Sequence, residues 1–281
     1  MADHDLSGFA RDSFTYRGVT HEVLRRGSGP AVVVIAEIPG ITPKVLAFAE
    51  RVAAIGCTAV LPVLFGRPGR DPNPSAHGRL KSQAYMASSI LRVCVSREFT
   101  AFAIGRSSPV VDWLRGLAAY EHERCGGPGV GAVGMCFTGG FALAMAADER
   151  MLAPVLSQPS LPMPVTGRRG AGIDISPADL AKVKDRFARD GLTVHGLRFR
   201  SDRLVPDERF AFLRRELGDA FVAVELDDAD ANPDGLRDPH SVLTEHLIDE
   251  PGQATRAALD GVLDLFRKRL LPGEPRTGPH R

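Results

Sequence analysis

The sequence predicts an α/β fold in which a mostly parallel central sheet lies between two layers of helices. Short β-branched runs recur along the chain, as in "AVVVIAE" (31–37) and "GVGAVGM" (129–135). Continuous apolar runs of this kind are typical of strands buried on both faces of a sheet. Segments with helical apolar spacing separate these runs, and alternating strands and helices favour parallel pairing. No repeat or linker divides the series, so we expect residues 1–281 to form one domain.

The elements follow one another in a regular order. Strands are predicted at 31–37, 57–62, 129–135, 151–157, 192–200 and 220–228. Helices are predicted at 44–56, 108–120, 139–148, 176–191, 206–217 and 253–271. Ser108 is expected to cap the second helix, and Gly191 to end the fourth. Residues 1–18 and 272–281 are expected to be flexible termini.

One segment fits neither element type. Residues 63–79, "VLFGRPGRDPNPSAHGR", are dense in proline and glycine. A long irregular loop in an α/β domain is usually functional. The segment is therefore a candidate lid over a binding site.

Composition and charge narrow the function classes. The chain is 44% hydrophobic and 25% charged with a net charge of +1, so neither nucleic acid nor an anionic membrane is an expected partner. No apolar leader and no run of ~18 apolar residues is present, so we expect a cytoplasmic protein. The sequence makes no prediction of oligomeric state.

The four cysteines are scattered, without a CxxC pair, which argues against a zinc or disulfide framework. Cys57, Cys94 and Cys125 are expected to be inert packed residues. Cys136 differs because it stands between an apolar strand and a helix opened by two glycines. That position is where a sharp strand–turn–helix elbow presents a nucleophile.

Further reactive side chains follow other predicted strands. Glu37 ends the first strand, Asp202 follows the strand at 192–200, and His240 follows the last strand. Because reactive groups in a parallel sheet collect at the carboxyl ends of the strands, we expect these residues to meet Cys136. Nucleophile, acid and histidine in this chain order are typical of α/β-hydrolases.

Other histidines and aspartates compete for the same roles. His195 is expected to be a packed strand residue, His246 a helix-surface residue and His77 a solvated loop residue. The aspartates that compete with Asp202 are expected to serve a helix start or a solvated turn: Asp207, Asp228 and Asp230.

Four segments together resemble the dienelactone hydrolase family: "AEIPGI" (36–41), "GMCFTGG" (134–140), "RSDRLVP" (200–206) and "DPHSV" (238–242). The resemblance spans about three quarters of the chain. It implies a three-layer α/β-hydrolase sandwich and no metal or organic cofactor.

The same resemblance assigns roles to individual residues. It implies that Cys136 is the nucleophile, His240 the base and Asp202 the carboxylate that orients the histidine. The amides of Ile38 and Phe137 match the family's oxyanion hole.

Glu37 matches the family's acidic residue beside the resting cysteine, with an ordinary strand-end ion pair as the alternative. The resemblance implies that Glu37 holds the thiol inactive until substrate displaces it.

The sequence departs from the family pattern in two respects. Thr138 replaces a glycine, and we expect it either to relax the turn or to point into the pocket. The family's substrate-carboxylate arginines have no clear match; Arg97 and Arg203 are candidates, with structural ion pairs as the alternative.

The function that these residues predict is hydrolysis of a small ester or lactone through a thioester, which places the chain among carboxylic ester hydrolases. A carboxylated, aromatic-derived substrate is left open. A general carboxylesterase or an acyl or thioester transferase on the same fold is one alternative. A catalytically silent protein that binds a ligand or senses thiol oxidation is another.

Overall fold

An eight-stranded sheet forms the centre of the computed structural model, which describes residues 5–95, 99, 105–235 and 238–271. Its strands are β1 (Ala10–Tyr16), β2 (Val19–Gly27), β3 (Ala31–Ile35), β4 (Thr58–Pro62), β5 (Val130–Met135), β6 (Met151–Ser157), β7 (Val194–Phe199) and β8 (Phe221–Leu226). They are ordered β1-β2-β4-β3-β5-β6-β7-β8. β1 and β2 pair antiparallel with their neighbours, whereas β3 through β8 run parallel to one another.

Helices cover both faces of this sheet. They are α1 (Pro43–Ala54), α2 (Pro74–His77), α3 (Arg79–Val95), α4 (Val110–Cys125), α5 (Phe141–Met145), α6 (Gly167–Gly170), α7 (Pro177–Asp190), α8 (Asp207–Leu217) and α9 (Ala254–Leu270). None of the described helices combines the length and apolarity that a bilayer crossing requires.

Two apolar cores lie on opposite faces of the sheet. Alternate residues of β3 divide between them, with Val33 in one core and Val32 and Val34 in the other. The first core includes apolar residues of α4, α5 and α8, and the second includes those of α1 and α9. Because successive strand side chains point to opposite faces, β3 buries all five of its residues. This three-layer arrangement confirms the predicted fold class.

Four local predictions are corrected by the structure. Residues 10–16 were expected to be part of a flexible terminus, yet they form β1 in register with β2. The predicted irregular segment contains α2 and leads directly into α3. Ser108 does not cap α4; its hydroxyl donates to Asp174 instead. The helix expected over 139–148 is shorter and covers only α5.

The predicted end of α7 is confirmed, because Gly191 takes a left-handed conformation there. At the start of the same helix, Ser176 accepts the amide of Asp179. The carboxyl ends of β3, β5, β7 and β8 lie along one edge of the sheet. The predicted site residues follow these four strands, so the fold brings them to that edge.

Candidate active site

Cys136 stands in a strained turn directly after β5. Its φ is +53°, a left-handed conformation that L residues with a side chain rarely adopt. The flanking glycines leave room for this turn. A Cβ at Gly134 would lie 2.1 Å from the carbonyl oxygen of Thr138, and one at Gly139 would lie 2.4 Å from the Cα of Pro159. The strand–turn–helix elbow predicted from the sequence is therefore present.

Thr138 stabilises the elbow and does not point into the cavity. It is fully buried, and its hydroxyl lies 2.8 Å from the carbonyl oxygen of Ile35 and 3.0 Å from that of Met135. The same hydroxyl accepts the Met135 amide at 2.9 Å. The threonine therefore joins the ends of β3 and β5, and the expectation that it might face substrate was wrong.

His240 and Asp202 form a close pair beside the cysteine. Nδ1 of His240 lies 2.6 Å from Oδ2 of Asp202, so the ring donates through Nδ1 and its Nε2 is directed elsewhere. The second carboxylate oxygen of Asp202 accepts the Leu204 amide at 2.9 Å. Asp202 is 7% exposed and held at both oxygens. The pair therefore fixes the orientation of the imidazole.

Charge determines the protonation of this histidine. Burial by itself lowers the pKa of His240, but the neighbouring Cys136 sulfur and the Asp202 carboxylate outweigh that effect. The net result is a His240 pKa raised well above its ordinary value. The imidazole is therefore suited to accept a proton next to the sulfur.

Glu37 also lies near the cysteine and has uncharged hydrogen-bond partners. Its carboxylate accepts from Oγ of Ser241 at 2.6 Å, from the Thr244 hydroxyl, and from Nε2 of Gln158 at 3.3 Å. Among the described residues, no lysine or arginine forms an ion pair with it. One ligand atom each from Glu37, Cys136 and His240 lie within 4.8 Å of one another.

Ser160 is a neighbour of the sulfur that the sequence analysis missed. Its Oγ lies 3.4 Å from Sγ of Cys136, and its amide donates to the Cys136 carbonyl at 2.9 Å. Ser160 follows β6, the strand next to β5, so its place at the carboxyl edge was a signal that could have identified it. Ser241 and Thr244 were also missed, although they follow His240 directly in the chain.

Buried Arg209 holds the loop that carries Ser160. Burial lowers the pKa of Arg209 to about 10. Its guanidinium donates to backbone carbonyls on the 159–172 segment and beside Asp202: those of Pro159, Pro162, Arg169, Gly172 and Leu204. One side chain thus positions both the Ser160 loop and the loop after β7.

These groups open onto a cavity of about 610 Å³, a volume typical of small-molecule sites. Its apolar wall comes from Ile38, Met86, Phe137, Met163 and Leu204. Met86 belongs to α3, so the helix after the proline-rich segment does border the site.

The remaining candidates fall in three places. Ile38 and Phe137, the expected oxyanion-hole residues, both line the cavity. Arg203 is an exposed residue on its wall, whereas Arg97 lies outside the described residues. His246 was expected on a helix surface, but it is 3% exposed and accepts the Ser241 amide through Nδ1 at 3.1 Å.

The competing residues take other positions. His195 is a half-buried residue of β7, and burial lowers its pKa. Asp207 forms an ion pair with Arg198 at the start of α8, and Asp228 accepts the Ser201 hydroxyl. His240 and Asp202 are thus the pair that reaches the cysteine.

The strand order, the elbow and the site at the carboxyl edge define an α/β-hydrolase fold. The sequence model of the dienelactone hydrolase family matches residues 19–162, just over half of the chain. The chain belongs to the dienelactone hydrolase family. The matched stretch includes Glu37 and Cys136 but ends before Asp202 and His240. No curated protein is significantly similar to the chain in sequence.

Solved structures show the same fold at low identity. The dienelactone hydrolase from Anabaena variabilis superposes with a TM-score of 0.55 at 16% identity, covering 93% of this chain and 98% of that one. A dienelactone hydrolase-like promiscuous phosphotriesterase from metagenomic libraries gives 0.55 at 17%, with the same coverage. A cold-adapted esterase from an Arctic intertidal metagenomic library gives 0.53 at 16%, covering 92% and 93%.

Proposed function

We propose that this hydrolase-family protein cleaves a small ester or lactone through a thioester on Cys136. The observation that carries the proposal is the arrangement at the cavity floor. A cysteine on a strained elbow lies beside an imidazole whose far nitrogen is held by a buried carboxylate. Nucleophile, base and orienting group in that order are the parts that covalent acyl transfer requires.

The proposed reaction begins with proton transfer from the Cys136 thiol to Nε2 of His240. The thiolate attacks the carbonyl carbon, and the developing oxyanion is stabilised by the amides of Ile38 and Phe137. The carbon–oxygen bond of the ester then breaks, and His240 gives its proton to the leaving alkoxide. Water attacks the thioester and transfers a proton to His240, and the thiol is restored as the acid leaves.

Glu37 takes a different role in this proposal from the displaced switch that the family resemblance implies. Its three donors favour a carboxylate that stays in place. A fixed negative charge near the sulfur opposes thiolate formation by repulsion. We therefore propose that Glu37 restrains the free thiol electrostatically, without having to move when substrate enters.

The cavity favours a small acyl group. Its volume of about 610 Å³ and its apolar wall fit an ester or lactone of modest size. Arg203 is a cationic residue on that wall. It is the residue through which a substrate carboxylate would be recognised.

The test uses 4-nitrophenyl acetate and iodoacetamide at neutral pH. We expect Cys136→Ala to lower ester turnover by at least ~10³-fold, because the acyl acceptor is removed. We expect one equivalent of iodoacetamide to label Cys136 first and to abolish turnover. Burial raises the pKa of Cys57 to about 11 and also raises that of Cys125, so both should stay protonated and react slowly.

Cys125→Ala is the matched control and should keep full turnover and the same labelling. Turnover that survives in Cys136→Ala would refute the proposal. Equal labelling of the thiols in the unmodified protein would refute the activation of Cys136.

A further inference from the structure

The groups around the cysteine also form a set of metal donors. Glu37, Cys136 and His240 each present one ligand atom, and these atoms lie within 4.8 Å of one another. Thiolate, imidazole and carboxylate are the ligand types that zinc uses in proteins, and three protein ligands with an open fourth position are a recurrent zinc arrangement. Sulfur disfavours the hard cations Mg²⁺ and Ca²⁺.

The orientation of His240 suits it as a metal ligand. Nε2 of His240 is buried and makes no hydrogen bond to a nitrogen or oxygen of the described residues, and the Cys136 sulfur is its neighbour. Nδ1 is held by Asp202 at 2.6 Å, which directs the Nε2 lone pair toward the sulfur side of the ring. A carboxylate behind a metal-binding histidine fixes its tautomer and raises its basicity.

The charge around the site also favours a cation. Glu37 is 6% exposed, and its described partners are two hydroxyls and an amide, none of which carries positive charge. Burial, followed by the charge of Glu37, raises the pKa of neighbouring Glu245 to about 7. A divalent ion at this position would compensate the Glu37 carboxylate and the thiolate that Cys136 forms on binding it.

We propose that Zn²⁺ binds to Sγ of Cys136, Nε2 of His240 and a carboxylate oxygen of Glu37, with the fourth position open to water from the cavity. Zinc bond lengths place tetrahedral ligands about 3.5 Å apart, so the side chains must close by about 1 Å. Binding replaces water ligands of the hydrated ion by one sulfur, one nitrogen and one oxygen, and it releases one proton to solvent from the cysteine–histidine pair. The ion occupies the nucleophile and the base together, so zinc and an ester substrate exclude each other.

The metal site stands independently of the proposed function, whereas the inhibition rests on it. The primary test is therefore spectroscopic and uses the full chain titrated with Co²⁺. Binding should produce a thiolate-to-cobalt charge-transfer band in the near ultraviolet, and Zn²⁺ should displace it. Cys136→Ala should abolish the band. His240→Ala and Glu37→Gln should each weaken affinity by more than ~10²-fold, because the loss of even an outer-shell partner costs ~10–100-fold.

Two further variants separate a built site from incidental thiol binding. Cys125→Ala should keep the band and the affinity. Asp202→Asn should weaken affinity by ~10–100-fold, because it removes the carboxylate behind the histidine. In the ester assay, Zn²⁺ should raise KM without changing kcat, and chelation with EDTA should reverse the effect.

A charge-transfer band that persists in Cys136→Ala would overturn the site. An affinity indifferent to Glu37→Gln would overturn it equally, because it would indicate adventitious thiol–imidazole binding. If the charge-transfer band shows every expected variant effect but no ester is turned over, the metal site is supported and the proposed hydrolase activity is refuted. If ester turnover depends on Cys136 but no band forms, the hydrolase activity is supported and the metal site is refuted.

Discussion

The loops after β3 and β7 each place a nearly buried carboxylate beside the site, but they hold it differently. Asp202, 7% exposed, pairs with His240 and with the Leu204 amide of its own loop. Glu37, 6% exposed, accepts from three uncharged groups that lie at least 121 residues away in the chain. One carboxylate therefore orients an imidazole, and the other contributes a fixed charge without a described counter-ion. Environment gives the same chemical group two different tasks.

Removing the charge after β7 should have the largest effect. We expect Asp202→Asn to lower kcat for a small ester by ~10³–10⁴-fold, because the imidazole loses the group that fixes its tautomer. Because Asp202 contributes to the raised pKa of His240, the variant should also lower that pKa. Imidazole titration by NMR measures this shift directly.

The exposed carboxylate at the start of α8 provides the control. Asp207→Asn should change neither kcat nor the His240 titration, because Asp207 pairs with Arg198 away from the ring. An Asp202→Asn enzyme with ordinary kcat would mean that this carboxylate does not serve the histidine.

Weakening the hydrogen bonds around Glu37 should mainly reduce stability. We expect Thr244→Val to lower the free energy of unfolding by about 2 kcal/mol, because a buried carboxylate loses a hydrogen bond from a hydroxyl. In a Glu37→Gln background the same change should cost less than about 1 kcal/mol, since the charged acceptor is gone. Denaturant unfolding of the four chains gives this double-mutant cycle. Equal losses in both backgrounds would show that Thr244 acts through packing alone.

The residues around the site differ in how far the sequence could predict them. Cys136 and His240 were predicted because their places at strand ends follow from chain order and from the geometry of a parallel sheet. The hydroxyl of Thr244 was not, because its partner Glu37 lies 207 residues away in the chain. The buried ring of His246 was not, because it packs against Phe199 of β7. Ser108 was likewise predicted to cap a helix, but its hydroxyl donates to Asp174, 66 residues away in the chain. Local patterns predicted most elements and the order of Cys136, Asp202 and His240 along the strand ends, while long-range side-chain contacts required coordinates.

The charge of Glu37, after β3, should be visible in a smaller, pH-dependent effect at Glu245. Burial and then Glu37 raise the Glu245 pKa from its ordinary 4.5 to about 7, with Lys44 partly offsetting them. A carboxyl group with a raised pKa binds its proton more tightly in the folded state, so folding loses stability as pH rises from about 4.5 to 7. We expect Glu245→Gln to stabilise the protein by about 1–2 kcal/mol at pH 8 and to change little near pH 4.5.

Thermal unfolding at the two pH values measures this difference, with the exposed Glu250→Gln on the same segment as the control. A stabilisation of equal size at both pH values would assign the effect to packing of the amide. Glu37→Gln should reduce the pH-dependent gain, because its charge is part of what keeps Glu245 protonated. Asp202→Asn should leave that gain unchanged, since Asp202 does not contribute to the shift at Glu245. The pH dependence thus distinguishes the two carboxylates. Asp202 interacts with His240, whereas Glu37 raises the pKa of Glu245.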